Sequence, residues 1–181
     1  MKSKQKILIY TDSRGQHTPV AAPKHEIFAN KLAAMDCIDA DVILCPMKWT
    51  TTIDFLEYIE DIDFRKYDKI ILYTGIVDWS PRARKNAIEA IGMHNYTDKQ
   101  SYDARCSLNT CNNSIKIVNN KKNKFDDIFG KDIINSHLKN EFEISFQGQP
   151  TINMYSLDMA KRLLIPRLRK IENLIFINSN K

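Results

Sequence analysis

Near the start of the chain, Asp12-Ser13-Arg14-Gly15 brings a carboxylate, a hydroxyl, a cation and a glycine into one short turn. A serine on a tight turn can expose its hydroxyl beside free backbone N–H groups. Those groups can hold the oxyanion formed when the serine attacks an ester carbonyl. The same residues also make an ordinary turn, because Asp and Ser hydrogen-bond locally to their own backbone. The G-x-S-x-G elbow of another hydrolase fold is not matched, since position 11 is Thr11. His17, four residues past Ser13 in the same loop, is within reach as a base, or is an exposed loop residue.

A second group is Gly75-Ile76-Val77-Asp78-Trp79. Asp78 can orient a base or bind a substrate hydroxyl, or it can simply favour the start of the helix that follows. Arg14 and Arg82 flank the proposed cleft and suit an anionic substrate, or are solvated charges. Trp49 and Trp79 follow the second and third strands, where aromatic faces pack on sugars or on apolar neighbours. His25, His94 and His137 are expected at the surface.

The elements that must position these residues follow from the hydrophobic pattern. Lys6 to Tyr10, Ala40 to Cys45, Lys69 to Tyr73 and Asn173 to Asn178 are short continuous apolar runs. Such runs read as strands of a parallel sheet, buried on both faces. Lys24 to Met35 carries a helical stripe of Ile27, Phe28, Leu32 and Met35. Thr51 or Thr52 caps a helix bearing Ile53, Phe55, Leu56 and Ile59. Ser80 followed by Pro81 predicts a helix start, with Ala83, Ala87, Ile88 and Ile91 on its apolar face and Gly92 as its stop. Lys131 to Asn140 predicts a short helix, and Asn153 to Ile171 a longer one kinked at Pro166, with Leu157, Leu164, Leu168 and Ile171 inward. Periodicity fails from about Met93, predicting an irregular insertion around residues 93–130. Alternating strands and helices imply right-handed βαβ units, with ligands beyond the carboxyl ends of the strands.

At 181 residues, 43% hydrophobic and 27% charged, the chain reads as one globular α/β domain over 1–181 rather than a disordered or low-complexity one. Lys plus Arg total 27 against 22 Asp plus Glu, a net charge of +5. The densest basic run, Lys116 to Lys124, is interleaved with Asn and has no aromatic support, so it reads as a solvated loop and no nucleic-acid partner is expected. Cys37, Cys45, Cys106 and Cys111 form no CxxC pair, so no metal is expected. There is no GxGxxG or P-loop, so no cofactor is expected. The apolar run Ile7 to Tyr10 is too short for a secretory signal, and no stretch approaches the roughly 18 apolar residues of a membrane span. The expected setting is cytoplasmic, with reduced thiols.

Tyr10-Thr11-Asp12-Ser13 resembles the first block of the SGNH/GDSL hydrolases, in which a Gly-Asp-Ser turn after the first strand carries the nucleophile. Gly75-Ile76-Val77-Asp78 resembles that family's Gly-x-Asn-Asp block. The resemblance implies a flavodoxin-like, three-layer α/β/α sandwich. It also implies Ser13 as nucleophile, with the N–H groups of Ser13 and Gly75 as oxyanion donors, in an esterase or O-acyltransferase acting on a carbohydrate or polysaccharide-precursor ester. Gly15 lies in the same turn. Three departures stand out. Val77 occupies the place of the oxyanion asparagine, no glycine follows the second strand, and no Asp-x-x-His block follows the last strand. Two alternatives remain open: an SGNH-like domain that is non-catalytic or lacks its last strand and histidine, and a flavodoxin-like phosphate- or nucleotide-binding module.

Overall fold

The fold is described from a computed structural model, over residues 3–15, 27–46, 50–88, 124–140, 142–146 and 148–177. Four strands form a parallel sheet: β1 (Gln5–Thr11), β2 (Ile38–Leu44), β3 (Lys69–Tyr73) and β7 (Leu174–Phe176), in the order β2-β1-β3-β7. Among the described residues, three short elements lie between β3 and the later helices. These are α3 (Ile76–Trp79), the two-residue strand β4 (Arg82–Ala83) and a helical stretch over 84–88. The pair α4 (Lys124–Phe129) and α5 (Lys131–His137) leads into a hairpin of β5 (Phe142–Phe146) and β6 (Gln149–Ile152). With β4, that hairpin makes a second, antiparallel sheet ordered β4-β6-β5. Leu157–Met159, Ala160–Leu164 and Ile165–Leu168 run on as one helix, α6.

Strand alternation sends successive side chains of β1 to opposite faces. Ile7 and Ile9 pack with Leu44 and with Ala29 of α1 (Phe28–Ala33). Leu8 and Tyr10 enter a much larger cluster with Ile43, Ile70 and Leu72, covered by α2 (Thr52–Glu60), α4 and α6. The expected α/β/α layering is therefore present, with helices on both faces. Residues Thr52 to Ile59 of α2 are buried all round, because the helix lies between the sheet and the later helices. Thr51 caps it, taking the backbone N–H of Asp54 at 3.4 Å while Asp54 Oδ2 accepts from the Thr51 N–H at 2.7 Å.

Several expectations need correction. Ser80 ends α3 rather than starting a helix, and its N–H bonds the carbonyl of Ile76 at 3.0 Å. Ala83 lies in β4, and Ile88 is exposed. The long helix starts after Ser156 rather than at Asn153, because residues 149–152 pair as β6 and the Ser156 hydroxyl accepts from the Met159 N–H at 3.1 Å. Pro166 has no N–H for the carbonyl four residues back. The chain meets this with a widened π-helical turn over Ala160–Leu164 directly before it. Leu157 and Met35 are exposed rather than inward, and among the described residues β7 is an edge strand with Ile175 and Phe176 half out in solvent, not a buried one. The start of the expected insertion lies outside the described residues, but its end, 124–129, is the ordered helix α4. No helix among the described residues is long and apolar enough to cross a membrane.

Candidate active site

In the order β2-β1-β3-β7, the chain leaves β1 toward β2 and then crosses back to β3 on the other side. The carboxyl ends of β1 and β3 therefore flank the topological switch point, where α/β sheets open a ligand crevice. Asp12-Ser13-Arg14-Gly15 forms one lip and Gly75 with α3 forms the other. The two are tied together by backbone: Asp12 N–H donates to Tyr73 O at 2.9 Å.

Asp12 is fully buried and organises the first lip. Its Oδ1 accepts from the Arg14 backbone N–H at 2.9 Å and from Nε at 3.0 Å, and its Oδ2 takes Arg14 Nη2 at 2.8 Å. Oδ2 also lies 3.4 Å from the Ile76 N–H at the start of α3, so one carboxylate holds both lips. The Arg14 guanidinium lies 4.5 Å from the centroid of the Tyr73 ring, a cation–π arrangement. This bidentate fork and ring contact fix Arg14 in place. Ser13 opens a short 3-10 turn, Ser13–Gly15, and is half-buried; its hydroxyl has no hydrogen-bond partner among the described residues.

The two glycines serve different needs. A side chain at Gly15 would collide with the Thr11 side chain, so Gly15 allows close approach. Thr11 fills that space. Gly75 has φ of 125°, a conformation that L side chains rarely adopt. A Cβ at this position would meet the Trp79 ring at 3.5 Å and Arg14 Nη2 at 4.0 Å.

Asp78 is turned into the core. It is fully buried, and its Oδ1 accepts from the Thr52 N–H at 3.0 Å and from the Tyr155 hydroxyl. Burial pushes its carboxyl above the ordinary 3.8, against the hydrogen bonds from Tyr155 and Thr52, which pull it down. Burial, the Asp78 charge and the shared hydrogen bond raise the Tyr155 hydroxyl. The Thr52 and Thr74 hydroxyls bond each other at 2.8 Å beside them. Arg82 donates to Val77 O at 2.6 Å, and burial lowers its pKa. The Trp79 ring stands edge to face with Tyr155, 5.0 Å between centroids.

Of the residues singled out from sequence, Asp12, Ser13, Arg14, Gly15, Gly75 and Trp79 come together at the crevice. Asp78 and Arg82 sit beneath the second lip, engaged by core partners. Val77 is buried and offers no side-chain donor. His17, His25, His94, Trp49, Cys106, Cys111, the run Lys116 to Asn123 and Asn178 lie outside the described residues. His137 is a correction: it is buried, with Nε2 2.8 Å from Asn153 O, because it closes α5 against the chain leaving β6. Sequence reading missed Tyr155 and Thr52 as supports of the second lip. The Thr50-Thr51-Thr52 run after the second strand was a visible signal for Thr52; Tyr155 had none. No group of three or more His, Cys, Asp or Glu among the described residues is placed to hold a metal ion.

No family model matches the chain, and no curated protein or solved structure matches it significantly.

Proposed function

We propose that this protein is an SGNH/GDSL-like serine hydrolase or O-acyltransferase that works through an acyl-Ser13 intermediate. The observation that carries this reading is the half-buried Ser13, its hydroxyl unengaged by any described residue, on the turn after the central strand β1 and opposite Gly75 at the switch point. Ser13 Oγ attacks the ester carbonyl and gives its proton to a base, His17 in the same loop. The ester C–O bond then breaks and the alcohol leaves with a proton returned by that base. Water or an acceptor hydroxyl resolves the acyl-serine, which gives hydrolysis or transfer. Backbone N–H groups of Ser13 and Gly75 stabilise the oxyanion. With Val77 in place of a side-chain donor, one hydrogen bond is absent, a loss of about 3 kcal/mol of transition-state stabilisation. Asp12 holds the two lips in register, and Asp78 fixes α3 from below. The substrate class is an ester of a carbohydrate or surface-polysaccharide precursor, and the setting is the cytoplasm.

A fluorophosphonate should label the folded protein at Ser13, and Ser13→Ala should remove the label. An unlabelled wild type would overturn the reading.

A second reading is favoured by β7, whose edge is unpaired among the described residues and whose Ile175 and Phe176 are half exposed. Here the SGNH-like domain is an incomplete or non-catalytic unit whose fifth strand and base come from another segment or subunit. Labelling that appears only after the partner is added would select it.

A further inference from the structure

Between α6 and the end of the sheet runs a groove of about 320 Å3, lined by Trp79, Ala160, Leu164, Ile165 and Leu168. Among the described residues that line it, Thr52 is the one polar side chain besides the Trp79 indole. Its rim carries unusually exposed apolar side chains: Leu157 is 58% exposed and Phe176 42%, with Ile177 beside it at 38%. Residues 161–170 add five cations and no acid. Arg162 pairs with Asp158 at 3.3 Å and Arg167 with Glu60 at 3.6 Å. Lys161, Arg169 and Lys170 are exposed and have no ion-pair partner among the described residues. Lys161 stands one turn after Leu157, and Arg169 one turn after Ile165, so unpaired cations border the apolar band.

We propose that this face, α6 with the β7 edge, docks on an anionic lipid bilayer. Exposed apolar side chains, Leu157 on α6 with Phe176 and Ile177 at the end of β7, flanked by Lys and Arg, are the pattern of a surface that lies in a membrane interface. The apolar side chains dip below the headgroups while the long basic stems reach back to them. Charge complementarity selects this occupant. A second copy packed on the same patch would bring the unpaired cations of both copies together, since a two-fold contact presents the same surface twice. An anionic membrane offers a counter-charge to every one of them. The groove beneath is open to an acyl chain, and Trp79 forms part of both the groove and the second lip of the crevice. Docking would therefore bring the crevice beside the headgroup layer.

The test is co-sedimentation of the full chain with vesicles of phosphatidylcholine alone and of phosphatidylcholine with 30% phosphatidylglycerol. Binding is expected only to the anionic vesicles, and it should weaken as salt rises. Lys161→Glu with Arg169→Glu should lower binding at least about tenfold, as should Leu157→Glu. All three side chains are exposed, so the fold should survive, and circular dichroism checks this. Lys31→Glu with Lys139→Glu makes the same charge change elsewhere and should leave binding within about twofold. The proposal fails if the folded wild type ignores anionic vesicles at low salt, or if the remote pair lowers binding as much as the α6 pair. It also fails if sedimentation shows a dimer that Leu157→Glu dissolves.

Discussion

Leu8 and Ile9 are neighbours on β1, and both are wholly buried, yet they look into different surroundings. Leu8 faces a cluster that draws on α2, α4, α5, α6 and the loop carrying Tyr155. Ile9 faces a small cluster whose only helix among the described residues is the six-residue α1, supported by half-buried Ile27, Phe28 and Leu32. The deep face is so thickly covered that it takes in whole helices and isolated polar groups. At the β7 edge both faces thin out: Ile175 on the shallow face is 46% exposed and Phe176 on the deep face 42%. The crevice opens where the two faces meet, at the carboxyl ends of β1 and β3. Its lips are therefore braced from the deep side, through Asp78, Thr52 and Tyr155. On the shallow side Phe28 of α1 meets Tyr73, rings edge to face at 5.6 Å, and Tyr73 in turn underlies Arg14.

The sharpest way to break this contrast is truncation on either side of one strand. Leu8→Ala should cost about 4 kcal/mol, because fixed elements on the deep face keep the cavity open. Ile9→Ala should cost about 2.5 kcal/mol, because the short α1 can settle into the space. Urea unfolding of both variants measures the difference, and equal costs would show the two faces to be equally rigid.

Next in size is the first lip. Gly15→Ala forces a methyl group into the Thr11 side chain and should cost about 2 kcal/mol. In the background Thr11→Ala the same substitution should cost less than about 1 kcal/mol, so the double-mutant cycle isolates the contact. A full cost in both backgrounds would move the origin of the strain away from Thr11.

The deep face also encloses the Tyr10 hydroxyl, which has no hydrogen-bond partner among the described residues; its ring is edge-on to Phe55 at 5.4 Å and stacks on Tyr58 at 5.8 Å. Burial and the nearby Asp54 push its pKa up, so it stays protonated. An unsatisfied buried hydroxyl is a desolvation cost, and Tyr10→Phe should be neutral or stabilise by up to about 1 kcal/mol. A clear loss of thermal stability would mean that the hydroxyl is bonded after all. The smallest effect belongs to the shallow face: Ile175→Thr should change unfolding free energy by less than about 0.5 kcal/mol. A larger loss would show Ile175 to be covered in solution.

Much of this architecture was legible in the chain. Continuous apolar runs marked the sheet strands because the central strands β1 and β3 are covered on both faces, and Thr51 marked the start of α2 because an N-cap needs a side-chain acceptor. The second sheet was not legible. Two residues of β4 carry no period, and they pair across 68 positions, Ala83 with Thr151. Gly148, with φ of 74°, and the alternation Phe142, Ile144, Phe146 were the available hints of its hairpin. At the site, Ser13 and Gly75 could be found because each directly follows a strand. The burial of Asp78 could not, because Asp beside a helix start looks the same whether it faces water or Tyr155.

The sequence by itself determined the α/β class, the positions of the four sheet strands and the two turns that meet at the crevice, since these follow from local periodicity and turn chemistry. Only the tertiary structure decided which way the side chains near those turns face. It turned Asp78 inward to Thr52 and Tyr155, locked Arg14 onto Asp12 and Tyr73, and buried His137 against Asn153. Those outcomes depend on partners up to 77 residues away, and no local pattern encodes which buried donor will find which acceptor.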